Sequence, residues 1–213
     1  MVKTKQQEVT LFIEGGGDSP AQHAKFRENF HKLLSKAINE GQKPKIVACG
    51  GRSLAYRAFC NYPTANKHSY GILLVDSEAP VDEKTKSPWE HLKMREGDGW
   101  SQPVNISEEQ CHLMVQCMEA WFIADVDALK NFYGPQFKED KLPNRNDIEN
   151  IPKTTLLASL ENATKKCTPK GQYHKGNHAF QLLGCIDPNK TCEKSPWARR
   201  FFATLEQIMD KRR

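Results

Sequence analysis

The chain has 213 residues, of which 38% are hydrophobic and 27% charged, a composition typical of a folded globular protein and not of a disordered one. No run approaches the ~20 consecutive apolar residues of a membrane span, and the opening segment lacks the apolar core of a signal peptide. Seven cysteines without close pairing favour reduced thiols over a disulfide framework. We therefore expect a cytoplasmic protein with no membrane partner.

The net charge of +5 is unevenly distributed along the chain. Residues 163–213 carry 11 Lys and Arg against 4 Asp and Glu, a local balance of +7, which leaves −2 for residues 1–162. Because carboxylates bind metal ions and clustered cations attract phosphates, the first part is suited to a metal ion and the second to a polyanion. The alternative for any single lysine of the basic part is an ordinary solvated side chain.

The hydrophobic pattern predicts strands and helices in alternation over the first part of the chain. Strands are predicted at 8–14, 45–49, 70–75 and 111–115. Helices are predicted from 18–20 to Gly41, at 53–59, near 89–94, and at 118–132 with a break near Asp125. This order predicts an α/β domain with a mostly parallel, Rossmann-like sheet flanked by helices, whose functional residues lie at the carboxyl ends of the strands.

After Gly134 the pattern becomes helical and basic. Helices are predicted at 153–163 and 178–183, and from 195 onward with Trp197, Phe201, Leu205 and Ile208 on one face. No internal repeat and no clean linker divides the chain. We therefore expect a single domain over residues 1–213, with a core at about 8–133 and a helical, basic C-terminal portion at about 134–213.

Acidic residues follow the first and third predicted strands. Glu14 ends the first strand and opens the run EGGGD, while Asp76 and Glu78 follow the third strand. If these strands are neighbours in a parallel sheet, the three carboxylates converge, and they then need raised pKa values or a cation. Oxygen ligands suit a hard divalent ion such as magnesium. The alternatives are a turn role for Glu14 and a capping role for Asp76 or Glu78.

The order of these acids resembles the Toprim domain of topoisomerases, primases and the old-family nucleases. In Toprim domains the glutamate after strand one is a general acid/base or a metal ligand, and an Asp-x-Asp pair holds magnesium. Here Glu78 takes the second position of the pair and keeps an oxygen ligand. Nearly the whole chain also looks like an uncharacterised bacterial Toprim-like family, known as a domain of unknown function and similar to RloB-like proteins. The segments that carry this resemblance are 14–19, 49–52, 74–78, 114–121 and 173–175.

The resemblance implies a Toprim-like fold and an endonuclease that depends on Mg²⁺ or Mn²⁺ and acts on DNA or on RNA such as tRNA. It also implies an effector in anti-phage defence that works with an ABC-type ATPase partner. Glu14, Asp76 and Glu78 would be catalytic and metal-binding, and the resemblance adds Glu119 to both groups. The alternative for Glu119 is to bond backbone amides at the start of its helix, because a buried acid without a partner is costly.

Cationic candidates lie in both parts of the chain. Arg52 follows two glycines at the end of the second strand, where it either forks onto a substrate phosphate or forms a salt bridge to the same carboxylates. Lys153, Lys175 and His178 lie in the helical, basic C-terminal portion at about 134–213, and the resemblance favours Lys175 as a phosphate contact. We take Arg52, Lys153 and Lys175 as the substrate-binding candidates.

Other residues and chemistries have simpler interpretations. Asp18 is predicted to cap the first helix, with metal binding as the alternative, and His112 to be a half-buried strand residue rather than a ligand or a base. The cysteine spacing does not match a zinc site, and the run at 14–18 lacks the lysine of a Walker A loop, so ATP hydrolysis is expected of a partner. The rival function is a non-catalytic regulatory or interaction subunit that binds a nucleotide or a metal. The sequence leaves open whether the chain forms a homo-oligomer.

Overall fold

The computed structural model describes residues 8–38, 43–62, 69–82, 84–85, 87–143 and 146–210. Its strands are β1 (Glu8–Ile13), β2 (Lys45–Ala48), β3 (Ser69–Asp76) and β4 (Cys111–Met114). Its α-helices are α1 (Pro20–Ala37), α2 (Arg52–Cys60), α3 (Pro88–Met94), α4 (Glu119–Ala124), α5 (Val126–Tyr133), α6 (Lys153–Thr164), α7 (Asn177–Cys185), α8 (Pro188–Lys194) and α9 (Pro196–Asp210). Two short 3₁₀ turns span Glu108–Gln110 and Glu139–Lys141.

The four described strands form one parallel sheet in the order β2-β1-β3-β4. The predicted α/β class with a parallel sheet flanked by helices is confirmed, and the arrangement is consistent with a Rossmann-like or Toprim-like fold. The strand order reverses between β1 and β3, whose ends are aligned because Ile13 pairs with Leu74. In open parallel sheets, ligands bind at such a switch point, beyond the carboxyl ends of the strands.

Apolar side chains cover both faces of the sheet, which explains why its strands read as nearly continuous apolar runs. On one face, Leu11 and Ile13 pack in a core with Phe26 of α1 and with the helices of the second half of the chain, such as Phe201 of α9. On the other face, residues such as Phe12 pack with α2 and α3. The alternation of adjacent strand residues between the two cores is the period of two expected for a strand.

The start of α1 corrects one prediction. Ser19, not Asp18, is the N-cap: its hydroxyl accepts a hydrogen bond from the Gln22 amide at 3.2 Å, and Gln22 Oε1 accepts one from the Ser19 amide at 3.1 Å. Ser19 takes this role because it directly precedes Pro20, which is pre-organised for the first helical position. The predicted end of this helix at Gly41 falls outside the described residues.

The structure confirms the predicted helix break near Asp125 and corrects the predicted burial of His112. The break near Asp125 is confirmed, since this residue ends α4 and its side chain accepts a hydrogen bond from the Ala128 amide at the start of α5. His112 is fully buried rather than half-buried, with Nε2 donating to the Glu109 carbonyl at 2.9 Å and Nδ1 accepting from Arg200 at 3.1 Å.

None of the described helices combines the length and apolar character that a membrane crossing requires.

Candidate active site

Three carboxylates converge at the switch point of the sheet. Glu14 follows β1, Asp76 ends β3, and Glu78 lies two residues further on; one oxygen from each lies within 4.8 Å of the others. The predicted convergence is therefore observed, because β1 and β3 are neighbours whose carboxyl ends coincide. All three groups offer oxygen ligands, the donor type that Mg²⁺ and Mn²⁺ take in proteins.

Glu14 is held in place by two donors to the same oxygen. Its Oε2 accepts hydrogen bonds from the Asp76 amide at 3.0 Å and from Arg52 Nη1 at 3.1 Å. Burial raises the pKa of the Glu14 carboxyl, although Arg52 and the Asp76 amide act in the opposite direction. The sequence-based alternative of a simple turn residue does not account for these contacts with β3 and α2.

Asp76 is the most buried member of the cluster. Its Oδ1 accepts a hydrogen bond from the Met118 amide at 2.9 Å, and its Oδ2 lies 3.7 Å from Lys153 Nζ. Burial and the nearby carboxylates of Glu14 and Glu119 raise the pKa of Asp76 well above its usual value, although Lys153 lowers it. A carboxyl group in this environment is stabilised by a proton or by a cation.

Lys153 pairs with the carboxylates in this structure. It is the first residue of α6, and its Nζ donates to both carboxylate oxygens of Glu78 at 2.7 Å. Burial lowers the pKa of Lys153, but Glu78 and Asp76 together raise it above its ordinary value. The Glu78 amide donates to the Gln116 carbonyl at 2.8 Å, which ties the loop after β3 to the loop after β4.

Arg52, the first residue of α2, forms the salt bridge that was one of its two predicted roles. Its guanidinium contacts Glu14 and the Asp76 carbonyl, and its Nε and Nη2 donate to the Asp98 carboxylate at 2.8 and 2.5 Å. It also lies over the ring of Trp100, at 4.9 Å from the centroid. The planar fork that a phosphate would use is therefore engaged by Asp98.

Glu119 is buried at the start of α4, but it does not bond backbone amides there, so that predicted alternative is wrong. Its Oε1 accepts a hydrogen bond from the Tyr173 hydroxyl at 3.1 Å and lies 3.8 Å from Lys175 Nζ. Its Oε2 is buried and has no hydrogen-bond partner among the described residues. The helix start is instead fixed by the Met118 amide on Asp76.

A cleft of about 350 Å³ gives access to this site. Its walls include Glu14, Asp76 and Glu119, the glycine-rich turns after β1 and β2, and Lys175. All three predicted substrate-binding cations pair with a carboxylate: Arg52 with Glu14, Lys153 with Glu78 and Lys175 with Glu119. Of the three, Lys175 also lines the cleft. His178 lies beside α5, where its Nδ1 contacts the Tyr133 hydroxyl at 3.1 Å.

Sequence reasoning missed two residues that support the site. Asp98 holds Arg52 across 46 positions of sequence, from a polar loop with no motif of its own. Tyr173 donates to Glu119 across 54 positions. Tyr173 lies two residues before Lys175 in one of the segments that carry the resemblance, which was the only signal for it.

The fold and the carboxylates define an α/β protein with a candidate divalent-cation site at the carboxyl ends of the two central strands of a parallel sheet. The chain belongs to the family described as Domain of unknown function (DUF4276), which matches residues 5–206. This match confirms the predicted membership in an uncharacterised family. Neither a curated protein nor a solved structure matches the chain.

Proposed function

We propose that this protein is an endonuclease of the Toprim type that depends on Mg²⁺ or Mn²⁺ and cleaves phosphodiester bonds of DNA or RNA. The observation that carries this proposal is the convergence of Glu14, Asp76 and Glu78 at the switch point of the sheet, with one oxygen of each within 4.8 Å of the others. The glycine-rich turns beside them allow the backbone of a DNA or RNA strand to approach closely, because glycine has no side chain.

The donor set fits a hard divalent cation. Asp76 and Glu78 would hold the ion, with Glu14 and Glu119 beside it, and the unpartnered Oε2 of Glu119 is a buried acceptor in the same cleft. When bound, such an ion supplies a Lewis acid that neutralises charge on phosphate oxygens and lowers the pKa of water. No zinc-type thiolate or imidazole belongs to the cluster of Glu14, Asp76 and Glu78.

The protein's own groups would position and deprotonate the nucleophile. Two donors engage Glu14 Oε2, so Oε1 is the atom of that carboxylate that would accept a proton from an attacking water. The Met118 amide orients Asp76 toward the cluster, and Arg52 keeps Glu14 at the end of β1. Lys153, at 2.7 Å from Glu78, would shift toward a substrate phosphate as charge develops there.

The finer assignment is to the bacterial Toprim-like proteins that are similar to RloB-like proteins. It includes a role as an effector in anti-phage defence with an ABC-type ATPase partner. Its support is the resemblance of the segments at 14–19, 74–78 and 173–175, two of which contribute carboxylates and one of which contributes Lys175 to the cleft.

A second candidate function is a non-catalytic regulatory subunit that binds a nucleotide or a metal. The observation that favours it is that Arg52 and Lys153 already neutralise Glu14 and Glu78. This alternative predicts ligand binding without phosphodiester cleavage under any metal.

The test is cleavage of supercoiled plasmid, single-stranded DNA and total tRNA by the purified protein with Mg²⁺ or Mn²⁺. The double variant Asp76→Asn, Glu78→Gln should lose more activity than the roughly 10–100-fold expected when only a hydrogen-bond partner of a metal ligand is removed. Asp127→Asn, which neutralises an exposed carboxylate on α5, is the matched control and should cleave normally. Absence of cleavage by the wild-type protein, also with its ATPase partner added, would contradict the nuclease.

A further inference from the structure

Two helices begin at the cleft without a side-chain cap. The N-caps of α2 and α7 are Gly51 and Gly176, both of which line the cleft, and neither glycine has a side chain to accept a hydrogen bond from the first amides of its helix. The first amides of a helix carry a partial positive charge and remain without intrahelical partners. Both ends therefore offer backbone donors to a ligand in the cleft.

The amino-terminal end of α7 is better suited to bind an anion than the amino-terminal end of α2. Its backbone at Gly176 has φ of 109°, a conformation that favours glycine, and the first internal bond of the helix runs from the Phe180 amide to the Gly176 carbonyl. The amides of residues 177–179 precede that bond. Lys175, with 59% of its side chain exposed, lies two residues before Asn177 and lines the cleft.

A second feature of the same cleft also indicates a ligand. The Glu119 side chain is only 1% exposed, yet its Oε2 has no hydrogen-bond partner among the described residues. An unpaired buried carboxylate oxygen costs free energy that a donor from a ligand would recover. A suitable ligand therefore combines an anion for the amides of α7 with a hydroxyl, amino or metal-bound donor for Glu119.

Positive charges surround the start of α7. Burial lowers the pKa of His178, and the nearby charges of His174, Lys170 and Lys25 lower it further. Lys25 Nζ also donates to the side chain of Asn177, the first residue of α7. The lysines among these groups favour a phosphate at the start of α7.

We propose that the amino-terminal end of α7, together with Lys175, binds a phosphate group of a nucleotide while Glu119 Oε2 accepts a hydrogen bond from the same ligand. Helix amino termini bind phosphate through these backbone donors, and a cleft of about 350 Å³ is within the size range of small-ligand sites. This inference rests on the proposed function, because it places the substrate of that function beside its carboxylates.

The test is binding of a short fluorescent single-stranded oligonucleotide and of AMP in EDTA, where no metal-dependent cleavage occurs. Asn177→Asp adds a negative charge at the start of α7, which favours the helix but repels a phosphate, and we expect about tenfold weaker binding. Asn189→Asp makes the same change in the first turn of α8 and is the matched control, with less than about twofold effect because a distant exposed charge is screened.

The outcomes separate the phosphate site from the nuclease. Equal weakening by Asn177→Asp and Asn189→Asp, or no binding of either probe to the wild-type protein, would overturn the site. Binding of both probes identifies a single nucleotide as sufficient, and binding of the oligonucleotide alone identifies a strand as the source of the phosphate. Melting temperatures are measured first, and Lys175→Gln, which should also weaken binding, replaces Asn177→Asp if that variant unfolds. A protein that shows this pattern but cleaves nothing keeps the phosphate site and contradicts the nuclease.

Discussion

Arg52 is held between two carboxylates with little access to solvent, which makes its partners sensitive to substitution. The side chains of Arg52 and Asp98 are 13% and 3% exposed, and Arg95 also contacts Asp98 at 3.1 Å. Asp98→Asn leaves two guanidinium groups without their shared counter-charge, so we expect the free energy of unfolding to fall by about 3 kcal/mol, measured by urea denaturation. Glu28→Gln, which breaks the exposed Glu28–Lys32 pair, is the control and should give no measurable change. Equal stability of the two variants would contradict the structural role of Asp98.

His112 should make stability depend on pH. Burial, and then the charge of Arg200, lowers the pKa of His112 to about 3 in the folded protein, against an ordinary value of about 6.5. Between these values the unfolded chain binds a proton that the folded chain does not, so stability is lost as pH falls below about 6.5. The slope from this group is at most about 1.4 kcal/mol per pH unit.

The corresponding measurement is the urea-unfolding free energy of wild-type and His112→Gln protein between pH 7 and pH 5. We expect the variant to be less stable at pH 7, by about 1–2 kcal/mol, because the contacts with Arg200 and the Glu109 carbonyl are weakened. Its deficit should shrink as the pH falls, since glutamine does not titrate. Parallel curves for the two proteins would show that His112 is not buried in its neutral form.

At the scale of elements, the turn between β1 and α1 depends on glycine for two separate reasons. Gly16 has φ of 99°, and a Cβ atom placed there would lie 2.9 Å from the Ala48 Cβ of β2. Gly97 has φ of 88°, but a Cβ there meets no atom within 4 Å. Gly16→Ala should therefore destabilise the protein by about 1–3 kcal/mol more than Gly97→Ala, measured by denaturant unfolding. Equal losses would mean that the turn relaxes away from β2 without cost.

The elements that the sequence predicted well are those whose signal is local. The runs at 70–75 and 111–115 lie within or overlap β3 and β4 because nearly continuous apolar residues mark strands buried on both faces. By contrast, α8 was missed although Asp187-Pro188 is a helix-start signature, since the seven-residue helix has little apolar periodicity. Ser19 and Asp18 both qualify as caps by type, and the signal that distinguishes them is the position of Ser19 directly before Pro20.

The candidate site likewise contains residues that could be predicted from the sequence and residues that could not. Glu14, Asp76 and Glu78 could be predicted because each lies at or within two residues of the carboxyl end of a strand, and the parallel sheet brings strand ends together. The partners Asp98 and Tyr173 could not, because their contacts with Arg52 and Glu119 depend on how loops and distant helices pack. For the same reason the sequence left two roles open for Arg52, and the salt bridge became evident only from the structure.

At the scale of the whole molecule, the carboxylate cluster should link metal binding to folding. Asp76 lies buried near Glu14 and Glu119, so its charge opposes folding when no divalent ion is present. A metal that binds the folded protein at about 100 times its Kd adds about 2.7 kcal/mol of stability, which corresponds to about 5–10 °C in Tm for a chain of this size. We expect Mg²⁺ or Mn²⁺ to produce this shift in the wild-type protein.

Asp76→Asn should separate the destabilising effect of the buried Asp76 charge from the stabilising effect of a bound metal ion, because the two effects have opposite signs. In EDTA the variant should melt at or above the wild-type temperature, since asparagine removes the buried charge while its Oδ1 still accepts the hydrogen bond from the Met118 amide. With metal present it should show no upward shift, because a ligand is lost. Asp127→Asn, a carboxylate exposed on α5, should respond to metal like the wild-type protein. A full metal shift in Asp76→Asn would place the ion elsewhere, and a lower melting temperature of this variant in EDTA would mean that Lys153 already compensates the charge of Asp76.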